Sequence, residues 1–589
     1  MEPAGRLVEP AGRLGEPAGR LVEPAHFDVA QVLAALAGRA RSGVLALVLV
    51  PAGIGLAAGG ASYALVGEPV ALVAELEAAL DPRWVWWDAR ATLTPLVAGG
   101  IRLRACWDVA AVHRLLHGGR RGDAGSAWAA AFGLSEPAEP SAVLDLLDLA
   151  SSTGAGPVSQ GGQLSREWVG PWAEPTVGRA AQWALLCLQV QQRQQAALAG
   201  LPDGRAAPTG VPLAVLTAWS ESGAALLGVE LAADGLPLDR SALSALLVEL
   251  IGPPDEESVA RARRDAAVMA HFPDTRFDLR NPLQVRELLV GLGFDVPDTR
   301  SWRLEPFRAT SPAVDALLRW RKVERVATTY GWSWLARHVG GDDRLRGEWV
   351  SADGGGGRMT ASAGLHNLPA DLRVAVAARS GWALVRADLG QVEPRVLAAI
   401  SGDVGLAEAG REDDMYSPVA LALGVDRPTA KIAVLAAMYG QTSGPAGEAL
   451  KRMDRAYPVA MAFLRAAEES GRGRRDLRTW GGRRIRLDFE GDPGGRGRYA
   501  RNATVQGAAA ELFKAWAATV RAGLRPLGGQ VVLCLHDELL LHVPSAVAGD
   551  AAELLLTALE GTAAWWCAGS GVRFVADVSV VQRWSEAKP

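Results

Sequence analysis

The sequence predicts a multidomain protein of mixed α/β and α+β class. At 589 residues it exceeds what one hydrophobic core organises, and at roughly 150 residues per domain it holds about three or four. Residues 27–198 alternate short apolar runs with helical patterns, as in 84–87 followed by 89–97, the pattern of a small α/β domain. Residues 210–340 read as mainly helical, and the last third mixes apolar strands at 382–389 and 531–543 with a helix at 427–439. With 49% hydrophobic and 21% charged residues, the composition belongs to a chain that folds.

In chain order, the first 25 residues repeat the unit EPAGRLV, with a Pro and a Gly in every full copy. Neither helix nor strand propagates through such a repeat, so residues 1–26 are expected to be a low-complexity tail. Residues 42–67 carry no charge, which raises the question of a membrane span. Pro51 and six glycines interrupt that run and no basic leader precedes it, so 44–50 is expected to be a buried strand, with no membrane segment. Residues 154–170 form a Gly- and Ser-rich loop, and LPDGRAAPTG at 201–210 marks the first domain boundary. Asp239 should cap a helix over 239–250, and Pro312 suits the first turn of another over 311–330. The DGGGG run at 353–357 then breaks the chain.

Charge and cysteines narrow the class. The net charge of −4 announces no nucleic-acid partner, but residues 471–501 hold ten arginines against four acids. Alone, such a run is as readily a solvated loop. Cys106, Cys187, Cys534 and Cys567 lie far apart without a CxxC pair, against both a zinc site and a disulfide framework, and a reducing cytoplasm fits.

Three segments carry chemistry. Asp388 ends an apolar strand and is followed by a helical pattern with Glu393 and Arg395, while His536, Asp537 and Glu538 form the tip of a hairpin between two apolar strands. Singly, Asp388 is equally a helix cap and the tip equally a polar turn. Together, two carboxylates from neighbouring strands can hold hard divalent ions about 3.5–4 Å apart, the clamp of an in-line phosphoryl displacement. In the third segment Arg427, Lys431, Leu435 and Tyr439 recur every four residues, so they form one stripe of a helix. Such a stripe can grip a triphosphate through its two cations and set the aromatic ring against a base or sugar; an ordinary amphipathic helix is the alternative.

These segments resemble motifs A, B and C of family A, the DNA polymerase I type: Asp388, Glu393 and Arg395; Arg427, Lys431 and Tyr439-Gly440; and His536-Asp537-Glu538. GGRMTASAGLHNLP (356–369), TWGGRRIRL (479–487) and RYARNATVQGAAAELFK (498–514) extend the likeness, as do 277–289 and 311–330, which resemble the family's thumb. The resemblance implies a right-hand polymerase domain at 206–589, with thumb about 206–345, palm about 346–410 and 500–589, and fingers about 411–499. It implies nucleotidyl transfer of dNTPs to a primer 3′-hydroxyl on primer-template DNA, in replication or repair, by a monomer in the bacterial cytoplasm at the nucleoid. Two Mg2+ ions, replaceable by Mn2+, would sit on Asp388, Asp537 and the Leu389 carbonyl, with Glu538 an accessory acid. Lys431 would neutralise the leaving group, Arg427 and Tyr416 would face the phosphates, and Glu393 would exclude a 2′-hydroxyl and hydrogen-bond Tyr439. Arg358, His536, Arg498, Asn502, Gln506, Arg483 and Arg484 would contact DNA, the arginine-rich segment finding its partner in the phosphate backbone.

Departures qualify the likeness. Leu389-Gly390 stands where the family has Tyr-Ser, with little loss expected because a backbone carbonyl suffices as a metal ligand. Leu435 stands where an aromatic ring packs on the incoming sugar, so altered sugar discrimination and weaker nucleotide binding are expected from Leu435. Residues 27–205 faintly resemble the ribonuclease H-like 3′-5′ exonuclease of the family, but Val48 and Val50 occupy the places of its first acids. Around Thr92 and Trp183 only Asp88 offers a carboxylate, so an inactive scaffold is expected; no room is left for a 5′-nuclease module. The alternatives are a bifunctional exonuclease-polymerase and a catalytically weak, polymerase-derived DNA-binding protein.

Overall fold

The computed structural model describes residues 26–36, 43–139, 156–170, 172, 174–208, 210–273, 276–440 and 445–587. The EPAGRLV repeat and the start of the 154–170 loop lie outside them.

The uncharged segment forms three short strands, Val44–Val50, Gly53–Ala58 and Ala61–Val66. Among the described residues no helix is long and apolar enough to cross a membrane. The three belong to a six-stranded sheet in the order His26–Phe27, Ala61–Val66, Gly53–Ala58, Val44–Val50, Arg83–Trp86, Ala105–Asp108. Gly53–Ala58 runs antiparallel to both neighbours, and the other pairings are parallel. Both faces are buried: Leu45 and Leu47 join one apolar cluster, Ala46 the other, as period-two alternation requires. Gly55 makes the close packing possible, since a Cβ there would lie 2.1 Å from the Ala180 backbone in helix Val177–Ala199.

The loop at 201–210 separates helices in sequence but not in space. Helix Leu213–Asp234 packs Leu226 into one N-terminal cluster, Ala218 into another and Leu227 into the large C-terminal core. Because it is wrapped on nearly every side it is apolar all round rather than amphipathic. The sequence boundary is therefore a shared wall.

Next come helices Arg240–Ile251, Glu257–Met269, Pro282–Gly291 and Pro312–Tyr330, and the last three enclose a separate apolar cluster. The expected caps form: Asp239 accepts from the Ala242 amide at 2.9 Å and Ser311 from Val314 at 3.4 Å, with Pro312 in the first turn.

The site rests on a four-stranded antiparallel sheet ordered Gln530–Cys534, Glu538–Pro544, Trp382–Gly390, Val575–Val581. Its register sets Asp388 opposite Glu538 on one side and Asp577 on the other. Helices Val392–Ser401, Pro493–Leu524 and Ala548–Trp566 supply much of the surrounding core. Helix Arg427–Tyr439 begins at the cap Asp426 and ends at Gly440, whose φ of 66° favours glycine.

Candidate active site

Asp388 does not cap a helix. The next helix starts at Gln391, which is left-handed (φ 55°) and makes no side-chain cap, so the strand end stays open. The Leu389 amide donates to the Asp537 carbonyl at 2.8 Å and docks the hairpin tip against that strand end. Two carboxylates are thus brought together where an interior strand ends beside the hairpin turn. Burial, then the charge of Asp537, pushes Asp388 up to about 6 against the pull of Arg386. Burial and Glu538 raise Asp537 as well. The pair's hard oxygen donors fit Mg2+, which takes one or two carboxylates and completes its shell with water and phosphate. No group of three or more His, Cys, Asp or Glu side chains that could hold a metal occurs among the described residues.

Glu538 is placed differently from the expectation of an accessory acid. It is buried and accepts from Arg386 Nη2 at 3.0 Å and from Trp584 Nε1 at 2.6 Å; the same Nη2 donates to Asp388 at 2.7 Å. Glu538 therefore orients Arg386, which orients Asp388. Asp577, exposed across the register from Asp388, is an acid that sequence reading missed, because only strand pairing reveals it.

Around the acids a second network closes. Glu393 pairs with Arg358 and accepts from the Tyr439 hydroxyl at 3.0 Å, as expected. Arg498, Asn502 and Gln506 fall four apart on helix Pro493–Leu524, with Arg498 exposed and packed over Gly440. His536 lies 5.4 Å from His366, ring to ring, and burial followed by the Arg358 charge lowers its pKa.

On helix Arg427–Tyr439, Lys431 is exposed and Leu435 is half-buried against the core. Arg427 is engaged by Asp414 through Nε at 2.7 Å and Nη2 at 3.0 Å, and its guanidinium lies 5.7 Å from the Tyr416 ring. Asp414 also accepts from Gln391 at 2.7 Å, so a strap runs from the strand end to the helix. Fully buried Arg395 fixes that strap by donating to the carbonyls of Gly390, Gly410, Glu412, Asp413 and Arg573. Asp414 was not among the expected residues; it lies in an unpatterned loop.

The arginine-rich segment requires the largest correction. Arg483, expected on DNA, is 3% exposed and pairs with Glu221 at 2.6 Å, while Lys514 pairs with the other Glu221 oxygen. Arg501 serves the Ala437 carbonyl and Glu468, and Arg496 the carbonyls of Gly471 and Gly491. Arg472, Arg474 and Arg486 each meet an acid, and Arg484 meets Asp476 at 2.7 Å while remaining partly exposed. Counting acids within 471–501 misses Glu221 and Glu468. Arg483, Arg496 and Arg501 are thus internal braces, while Arg472, Arg474, Arg475, Arg478, Arg486 and Arg498 remain exposed.

A family model described as DNA polymerase family A matches residues 256–586, more than half of the chain. The chain belongs to DNA polymerase family A. Among its relatives, the "DNA polymerase I, thermostable" of Thermus filiformis is 29% identical over 403 residues, 60% of this chain and 46% of that protein. The protein of the same description from Thermus aquaticus is 27% identical over 475 residues, 73% of this chain and 54% of that one. The chain spans about half the length of these curated relatives. Among solved structures, the POL domain of Pol1 from M. smegmatis in complex with DNA primer-template and dNTP matches with a TM-score of 0.66 at 20% identity, over 97% of this chain and 100% of that one. That likeness establishes the fold.

Family A polymerases use divalent metal ions, and the Asp388 and Asp537 pair fits that use. In the N-terminal sheet of this family A chain, Val48 is half-buried and Val50 buried, and Asp88 caps helix Ala89–Ala98. Asp88 is not the only acid nearby. Asp108 is 1% exposed, its carboxyl accepts from Trp86 Nε1 and the Ala89 and Ala111 amides, and burial followed by Asp88 pushes it up to about 7. Trp183 sits in an aromatic cluster, 4.7 Å from Trp87 and 6.1 Å from Trp168.

Proposed function

We propose that this chain is a DNA-directed DNA polymerase that extends a primer 3′-hydroxyl with dNTPs on a template strand. The observation that carries the reading is the Leu389 to Asp537 docking, which sets half-buried Asp388 and exposed Asp537 side by side near the Glu393–Tyr439 contact. When bound, two Mg2+ ions, or Mn2+, would supply positive charge at the reacting phosphate and lower the hydroxyl pKa. Asp388, Asp537 and the Leu389 carbonyl would hold them, with Glu538 acting only through Arg386.

The remaining side chains bind and orient. Arg427 would leave Asp414 for triphosphate oxygens beside Tyr416, and Lys431 would neutralise the departing pyrophosphate. Glu393, held by Arg358 and Tyr439, would form a wall where a ribose carries its 2′-hydroxyl. Arg498, Asn502 and Gln506 would line the duplex minor groove, with Arg358 and His536 at the primer end and Arg484 at the backbone. Arg483 has no such part. In domain terms, residues 206–345 would be thumb, 411–499 fingers, and 346–410 with 500–589 palm, in a monomer working at the nucleoid in the cytoplasm.

Residues 27–205 are proposed to be an exonuclease-like scaffold without activity. The strand order, with its single antiparallel member beside parallel ones, supports the ancestry, and Val48, Val50 and Trp183 support the loss. Metal-dependent shortening of a labelled single strand by the full chain carrying Asp388→Ala would overturn the inactivity and favour a bifunctional enzyme. The polymerase reading is tested by extending a labelled primer with Mg2+ and dNTPs. Wild type should extend it, and Asp388→Ala should be slower by about a thousandfold, the order that follows from losing several kcal/mol of charge stabilisation. Leu389, Gly390 and Leu435 favour a second reading, a weakly catalytic DNA-binding protein, which would bind primer-template and leave it unextended.

A further inference from the structure

A crevice of about 760 Å³ opens between the N-terminal sheet and the polymerase core, remote in the fold from the acid pair. Its walls come from the edge strand Ala105–Asp108, helix Leu213–Asp234 and the C-terminal parts of helices Pro493–Leu524 and Ala548–Trp566. It exists because the helices meet there through small residues: Ala515, Ala518 and Ala522 on one, Gly223 on the second, Ala558 and Gly561 on the third. A Cβ added at Gly561 would have no atom within 4 Å. Trp219, Trp565 and Leu216 give the walls apolar area, and a volume of this size suits a small organic molecule.

The charged lining is one-sided. Arg83, Arg104, Arg521 and Arg525 line the crevice, and no carboxylate does among the described residues. Three of the four are balanced from behind: Arg104 by Asp81, Arg521 by Glu230 at 2.6 Å and Arg525 by Glu77 at 3.6 Å. Arg83 differs. Its guanidinium lies 4.5 Å from the Trp219 ring centroid and donates to the Cys106 carbonyl at 3.2 Å, and among the described residues it makes no ion pair within 4 Å. A half-buried cation held on an indole face at the edge of an apolar crevice is matched by one anionic group attached to an apolar body.

We propose that this crevice is a binding site for a small amphipathic anion, an aliphatic or aromatic carboxylate or sulfonate whose charged end meets Arg83 and whose apolar end fills the space walled by Ala518, Ala522 and Gly561. Nothing in the nucleotidyl-transfer reading uses these residues, so the inference stands or falls separately from it. The ligand bridges the N-terminal unit and the two long helices of the polymerase core, so its binding stabilises that junction by mass action.

The test uses the full chain with decanoate as the probe, by calorimetry, and by displacement of anilinonaphthalene sulfonate fluorescence. One decanoate per chain should bind, with a Kd on the order of 10–100 µM for a ligand of about twelve heavy atoms. Arg83→Leu should weaken it about tenfold, Arg83→Lys much less, and decanol should bind about tenfold more weakly than decanoate. Gly561→Phe, at a helical position where an added Cβ meets no atom within 4 Å, puts a ring at the crevice wall and should weaken binding about tenfold. No saturable binding, equal affinity for decanol, or an unchanged Kd in Gly561→Phe would each overturn the proposal, even if Arg83→Leu misfolds.

Discussion

Replacing Glu221 by Gln removes the anion from a buried triad. Glu221, Arg483 and Lys514 are all nearly inaccessible, and burial alone would raise the Glu221 carboxyl, yet Arg483 and Lys514 outweigh it and hold it below its usual value. Burial already lowers Lys514 to about 8, with Glu221 opposing the fall. Without Glu221 two cations face each other in the core, a loss of about 3–5 kcal/mol. Lys514 limits the damage by losing its proton. In the unfolded chain its pKa is about 10.4, so giving up that proton costs at most about 1.4 kcal/mol for each pH unit below that value. The native state then binds fewer protons than the unfolded state, and stability must rise with pH across that window. The variant should therefore be destabilised by about 3–5 kcal/mol at pH 7 and recover about 2–3 kcal/mol of that by pH 9. Urea unfolding followed by tryptophan fluorescence at the two pH values reads both. A loss below about 1 kcal/mol, or one that does not change with pH, would refute the account of the triad. Because Lys514 Nζ donates to the Gly357 carbonyl at 2.7 Å, the strand bearing Arg358 should loosen too.

Other expectations follow from single contacts. Leu435→Phe adds a ring on the stripe proposed to face the nucleotide and should lower the dNTP KM by about two- to tenfold in single-nucleotide incorporation; an unchanged KM would count against that placement. Asp414→Asn keeps the Gln391 and Ser417 contacts but weakens the hold on Arg427, so the dNTP KM should fall by about two- to fivefold with kcat little changed, and a raised KM would contradict the competition. His542 and His113 are buried with pKa values lowered by burial to about 3 and about 4. The unfolded chain binds their protons below about pH 6.5 while the native chain does not, so the contribution of these two histidines to stability should drop as pH falls from 6.5 toward 4, while Asp108 and Asp388, raised to about 7 and about 6, act in the opposite sense. Comparing urea midpoints of wild type and His542→Phe isolates the effect: the variant should gain on wild type between pH 7 and 5, and a difference that does not change with pH would contradict this.

Local patterns were legible where one residue type decides the outcome. Asp239 and Ser311 cap the helices they were expected to cap, and the helix at 427–439 keeps its bounds because Asp426 starts it and Gly440 ends it. The Glu393–Tyr439 hydrogen bond was legible through family resemblance alone. Long-range partners were not. Arg483 looks like a phosphate ligand until Glu221, 262 positions earlier, is brought against it by helix packing. Asp577 and Asp108 became visible only through strand register and burial, and Asp414 only through the turn at Gln391. At the expected boundary of 201–210 one helix has ended at Ala199, but the next, Leu213–Asp234, packs into the apolar clusters on both sides of it, which its all-round apolar pattern hints at without specifying.

Single-turnover incorporation of one dNTP onto a primer-template, at rising Mg2+ concentration, tests the central claim about Asp388 and Asp537 most directly. Wild type should show rates that saturate with Mg2+, while Asp388→Ala and Asp537→Ala should each fall by about a thousandfold with primer-template affinity nearly unchanged. Incorporation that survives either substitution, or that proceeds without a divalent cation, would contradict the account.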